Sequence, residues 1–150
     1  MFFGNHSHVL DGKGRISIPA KFRDALSGEV HIYLTPEGGQ TSDGVYLAAR
    51  PKAAWQQFLQ TLQARPQYDR NVVDLRRKTV GQVEQVEIDG QGRILVPPRL
   101  QVKVGLLKGV TFVGQGEWFE LWDQQAWEKA LALSEERLSS NPQILQDLGV

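Results

Sequence analysis

Residues 11–19 read DGKGRISIP and residues 89–97 read DGQGRILVP, nearly the same phrase at a spacing of 78 (89 − 11). Six of the nine positions are identical, and the exceptions pair Lys13 with Gln91, Ser17 with Leu95 and Ile18 with Val96. A phrase this specific does not recur by composition. It marks an internal duplication, so the chain has to be read as two copies of one unit. Asp-Gly-x-Gly carries turn chemistry, because glycine adopts positive φ without steric cost. Alternating residues in HSHVLD (6–11) and EQVEIDG (84–90) predict a strand leading into each turn. Each phrase therefore reads as strand, tight turn, strand: a β-hairpin with Arg15 or Arg93 where the chain emerges. Pro19 and Pro97 end the second strand, since proline has no N–H for a ladder.

The duplication extends outward. PAKFRDALSG (19–28) and PPRLQVKVGL (97–106) each begin with proline, which suits a first helical turn. Phe22 and Leu26, like Leu100 and Val104, fall four apart on one face, and Gly28 and Gly105 stand where the helices should stop. Strands follow at VHIYLT (30–35) and VTFVG (110–114), then at GVYLAA (44–49) and EWFELW (117–122). Each copy closes on a helix. PKAAWQQFLQTL (51–62) puts Trp55, Phe58, Leu59 and Leu62 on one stripe. DQQAWEKALALSEERL (123–138) does the same with Trp127, Ala130, Leu131 and Leu138, behind Asp123 as N-cap. The expected organisation is a first module at 5–49, followed by a helix at 51–63 and a connector at 65–82. A second module at 83–124 is followed by a helix at 123–138 and a tail. Modules this small bury too little apolar surface alone. The expected fold is therefore α+β and β-rich, the two modules packing as an intrachain pseudo-dimer with strands from both completing one sheet system.

Composition sets the class. With 41% hydrophobic and 23% charged residues the 150-residue chain is a folded globular one. No apolar run approaches the roughly 18 residues that span a bilayer, and MFFGNHSH lacks the basic and apolar stretches of a secretory signal. There is no cysteine, which fits a reducing cytoplasm. Net charge is zero but segregated: Lys13, Arg15, Lys21 and Arg23 lie in one acid-free stretch, and Arg93, Arg99, Lys103 and Lys108 in another. Arg76, Arg77 and Lys78 form a third cluster, while seven acids fall between Glu117 and Val150. Such segregation gives a neutral protein a basic face.

Other chemistries fail on their residues. His6, His8 and Asp11 have metal-ligand spacing, but Glu84 and Val86 replace the histidines in the second copy. They read as surface or dimer-contact residues, and no metal is expected. DGKGR lacks the spacing of a phosphate-cradling loop and the alternating acids of a calcium loop, so no cofactor is expected. No nucleophile–base set or carboxylate pair in a pocket stands out, so neither an enzyme nor a small-molecule substrate is expected. Nucleic acid remains. An arginine held by a turn and an acidic neighbour (Asp11 for Arg15, Asp89 for Arg93) is prepared for phosphate or the O6/N7 edge of guanine. Gly12, Gly14, Gly90 and Gly92 shape the turns that orient these arginines.

The D-G-x-G-R-I-x-[IV]-P phrase followed by a basic turn resembles the swapped-hairpin module of the SpoVT/AbrB type. Two such modules behind MFFGNHSHVLDGKGRISIPAKFR are similar to the MraZ family of transcriptional regulators over essentially the full chain. The resemblance implies a cytoplasmic, nucleoid-associated DNA-binding regulator of the bacterial division and cell-wall gene cluster. It also implies a ring-shaped homo-oligomer on double-stranded DNA with G-rich promoter repeats. The family's D-x-x-x-R motif maps onto Asp11–Arg15 and Asp89–Arg93. On this reading Arg15 is the principal contact, with Lys13, Lys21 and Arg23 on phosphates and Arg93 and Arg99 secondary. Gln91 and Gln101 replace Lys13 and Arg23, so the first module should grip harder. The alternative on the same fold is a ring scaffold or antitoxin-like partner binder.

Overall fold

The expected strands and helices form, but the strands of each turn do not pair with one another. The computed structural model describes residues 1–39 and 43–150. In chain order the first half comprises β1 (Asn5–Val9), β2 (Arg15–Ser17), α1 (Ala20–Leu26), β3 (His31–Gly39), β4 (Gly44–Arg50) and α2 (Lys52–Gln63). The connector holds α3 (Arg70–Lys78) and a 3-10 turn at Val80–Gln82. The second half comprises β5 (Glu84–Glu87), β6 (Arg93–Leu95), α4 (Pro98–Lys103), β7 (Gly109–Gly114), β8 (Phe119–Asp123) and α5 (Gln124–Ser140). A short α6 (Gln143–Asp147) follows.

Among the described residues the strands form a six-stranded sheet in the order β1-β7-β8-β4-β3-β5 and a separate two-stranded ribbon, β2-β6. β1 from the first half pairs with β7 from the second, Asn5 opposite Val113 through Val9 opposite Gly109. Reciprocally, β5 pairs with β3, His31 opposite Glu87 through Leu34 opposite Glu84. β4 meets β8 at the middle of the sheet, Leu47 opposite Leu121. A pseudo-two-fold axis therefore passes between β4 and β8 and through the ribbon, where Ile16 faces Ile94. The simple hairpin read from the phrase alone is corrected to the swapped one that the family resemblance implied. A single hairpin with a three-residue second arm has almost nothing to bury, whereas crossing the arms puts Ile16, Ile18, Ile94 and Val96 into a core shared by both halves.

That core lies between one face of the sheet and the ribbon with α1 and α4. It contains Phe22, Leu26, Leu100 and Val104 at their expected helical spacing, with Leu34, Leu47, Phe112, Phe119 and Leu121 from the strands. Phe2 joins it, its ring against Phe119 (4.9 Å) and Phe22 (5.4 Å). α2 and α5 cover the other face. Trp55 stacks on Tyr33 at 5.4 Å, and Asp123 caps α5 by accepting from the Ala126 N–H at 3.1 Å. The apolar stripe expected along α5 is only partly buried. Ala130 is covered, but Leu131 and Leu138 remain 37% and 43% exposed, because the seventeen-residue helix runs on beyond the five-residue β8. Among the described residues no helix is long and apolar enough to cross a membrane.

Candidate nucleic-acid interface

The two turns are near-copies in hydrogen bonding. Asp11 Oδ1 accepts from the N–H groups of Lys13 and Arg15, each at 2.9 Å. Asp89 Oδ1 accepts from Gln91 and Arg93 at 2.8 and 3.0 Å. Each carboxylate thus closes its own turn, reinforced by the N–H of the second glycine donating to the aspartate carbonyl (3.1 Å for Gly14, 3.0 Å for Gly92). The Arg15 N–H is the main cause that holds the Asp11 carboxyl below the usual aspartate range, and the Arg93 N–H does the same for Asp89. Only the second glycine of each phrase takes the left-handed backbone, φ +83° at Gly14 and +76° at Gly92. Gly12 and Gly90 have ordinary φ and open space where a side chain would stand. The turns also lock across the axis: Ile18 N–H donates to Gly92 O at 2.9 Å, and Val96 N–H to Gly14 O at 2.8 Å.

Because Ile16 and Ile94 point into the core, Arg15, Ser17, Arg93 and Leu95 project from the outer face of the ribbon. Arg15 stands opposite Leu95 and Arg93 opposite Ser17, so the two arginines are diagonal neighbours across the axis. Their side-chain surroundings differ. Arg93 Nε donates to Asp89 Oδ2 at 3.0 Å, whereas among the described residues the Arg15 guanidinium makes no hydrogen bond or ion pair. Arg23 reaches from α1 onto the second turn, its side chain lying where a Cβ on Gly92 would stand. At the equivalent place in the first turn lies Gln101, whose Nε2 donates to Val96 O at 2.8 Å. Lys13 and Lys21 are exposed. Arg99 is instead tied to Glu84 (2.7 Å) and the Gln82 carbonyl (3.2 Å).

The ribbon and its turns thus gather Lys13, Arg15, Arg23 and Arg93. Arg99 is held by an internal ion pair, and the third basic cluster sits elsewhere. Lys78 of α3 donates to the Gly38 carbonyl, at the end of β3 remote from His31, where the second turn leaves the sheet. Ser17 and Leu95 escaped the sequence reading, although the inward alternation of Ile16, Ile18, Ile94 and Val96 marks their neighbours as outward. His6 and His8 are half-buried at the edge of the core, and His31 is exposed. The His6 ring meets Phe22 edge-on at 5.3 Å, and His8 Nδ1 lies 2.7 Å from the Ser17 carbonyl. Among the described residues no three His, Asp or Glu side chains converge as metal ligands would.

Comparison with known proteins agrees with the duplicated build. The family model described as "MraZ protein, putative antitoxin-like" matches residues 1–72 and again 80–147, one match for each half. A protein of Thioalkalivibrio sulfidiphilus named Transcriptional regulator MraZ is 42% identical over 132 residues, 87% of this chain and 85% of its own. Its namesake in Methylobacillus flagellatus is 41% identical over 133 residues, 87% and 86% of the two chains. That of Nitrosococcus oceani is 34% identical over 152 residues, 100% of this chain and 98% of its own. With both halves matched by one family model and full-length relatives above 30% identity, the chain belongs to the MraZ family.

Proposed function

We propose that the protein is a sequence-specific DNA-binding transcriptional regulator, and that its two modules (5–49 and 83–124) form one reading surface. The observation that carries this is the placement of Arg15 and Arg93 on the outer face of a two-stranded antiparallel ribbon, with Lys13 and Arg23 beside them. A two-stranded ribbon fits the major groove of B-DNA, and an arginine there pairs with guanine O6 and N7. Arg15 is the principal base contact because its guanidinium is uncommitted. Arg93 must leave Asp89, at least in part, to reach a base, and Arg99 must leave Glu84, so both are secondary. Lys13, Lys21 and Arg23 contact phosphates. Leu95, 51% exposed beside Arg15, supplies an apolar contact of the kind that thymine methyl groups accept.

The names of the relatives support regulation of transcription. The family resemblance supports G-rich repeated boxes ahead of the division and cell-wall gene cluster, bound by a ring of subunits in the nucleoid. Few basic side chains per subunit bind weakly, and a ring facing several boxes multiplies them through effective concentration. The test is a gel shift of the full chain on G-rich repeat DNA and on random DNA of equal length. Retardation of the repeat DNA that weakens steeply with added salt is expected. Equal retardation of both would remove sequence specificity from the proposal, and no retardation would remove DNA altogether, leaving the partner-binding alternative.

A further inference from the structure

The two halves differ on the face of the sheet away from the ribbon. Positions 50 and 122 are equivalent, 72 residues apart (122 − 50), as are Tyr46 and Trp118, and Phe58 and Ala130. In the second half Trp122 is buried, stacks on Tyr46 at 4.8 Å, leans on Trp127 at 5.8 Å and packs with Ala126 and Ala130. The space beneath α5 is filled. In the first half the corresponding residue is Arg50, which pairs with Glu37 (2.6 Å) and Thr35 (3.0 Å) while its guanidinium lies over the Phe58 ring at 4.1 Å and 5.6 Å from the Trp118 ring. A cleft of about 500 Å³ is left between α2 and Trp118, lined by Arg50, Ala54, Gln57, Phe58, Thr61 and Trp118. A shallower groove continues from Gln57 and Thr61 along α2 to Ala64 and Arg65.

The same chain carries an apolar segment that nothing covers. Beyond Ala130, Leu133, Leu138, Leu145 and Leu148 are all exposed, Leu148 by 69%. Leu145 and Leu148 are three apart and share one side of α6 and its cap. This region is acidic: Glu135, Glu136 and Asp147 stand against Arg137 alone, and Arg137 is already paired with Asp43. The groove has the opposite character at its α2 end, where among the described residues Arg65 has no ion pair, and its acid, Glu117, lies at the far rim beside Trp118. Charge therefore orients an occupant with Asp147 toward Arg65 and its leucines toward Phe58 and Trp118.

We propose that α6 of one copy, through Leu145 and Leu148, docks in the α2–Trp118 cleft of the next copy. Segment and cleft are different surfaces of one chain, so the contact is head-to-tail and closes into a ring when the rotation permits. The inference rests on the ring assembly proposed above and names its interface. It is tested by light scattering on the full chain, with a cleft-filling variant (Thr61→Trp) and a segment variant (Leu145→Glu with Leu148→Glu), all at exposed positions. Each variant alone should fall to single chains. An equimolar mixture should form a two-chain species and nothing larger, since one partner keeps its cleft and the other its segment. Variants that keep the parent mass, or a mixture that stays monomeric, would overturn the interface. Gln57→Trp fills the same cleft and replaces Thr61→Trp should that chain not fold. A parent that is itself monomeric would remove the ring reading, and the interface with it.

Discussion

Arg15 and Arg93 share backbone surroundings and differ in what their side chains touch. Both N–H groups donate to an aspartate four residues earlier, but only Arg93 also spends its guanidinium on that aspartate. Replacing Arg15 by alanine should weaken binding to the G-rich repeat by roughly 1–3 kcal/mol per engaged subunit, with unfolding unchanged. Arg93→Ala should cost less, and a titration in which it costs more would reverse the ranking of the modules. The aspartates make a separate prediction. Their folded-state pKa values are lowered, so their contribution to stability is present above the usual aspartate value and is lost as pH falls through the lowered one. Carbon-13 NMR titration should give carboxyl midpoints for Asp11 and Asp89 below those of exposed aspartates. Asp11→Asn should flatten the acid limb of the stability profile, and an unchanged limb would mean that the turn draws nothing from the charge.

At the scale of elements, the two glycines of each phrase are not equivalent. Gly14 and Gly92 hold left-handed backbone, and a Cβ on Gly92 would stand 2.4 Å from Arg23 Cδ. Alanine at Gly92 should cost about 1–2 kcal/mol for the backbone alone and push Arg23 off the turn. Alanine at Gly12, where φ is ordinary and the space is empty, should change urea unfolding little. Equal losses at both positions would contradict the assignment of the strained one. The same comparison shows what the sequence could tell. Periodicity placed the helices and strands, because Phe22/Leu26 and Leu100/Val104 report burial locally. It could not place strand partners. Nothing in HSHVLD or RIS says that the first pairs with β7 and the second with β6, since both choices satisfy the same alternation. The duplication pointed to that exchange through the size of the unit, and the resemblance to the swapped-hairpin module implied it. The ion pair of Arg99 was illegible for a related reason: its partner, Glu84, lies fifteen positions away across the fold.

At the scale of the molecule, each half depends on strands supplied by the other. A fragment ending within the connector would leave β3 without β5 and β1 without β7, exposing Ile16, Ile18 and Phe22. Such a fragment, residues 1–75, should show no cooperative unfolding as a monomer, and adding the fragment 76–150 should restore it. Circular dichroism during thermal melting would record this, and a first fragment that melts cooperatively alone would show that the modules are independent. Joining the halves in one chain has a further effect on what a ligand meets. Two identical chains related by a true two-fold present the same face in either direction along a duplex, and their natural target is a palindrome. Here the axis is only approximate: Lys13 stands against Gln91, Arg23 against Gln101, and a free Arg15 against a tethered Arg93. On the DNA reading, this subunit has a front and a back. It would sit on its site in one orientation only, and copies side by side would favour boxes repeated head to tail over boxes that mirror each other.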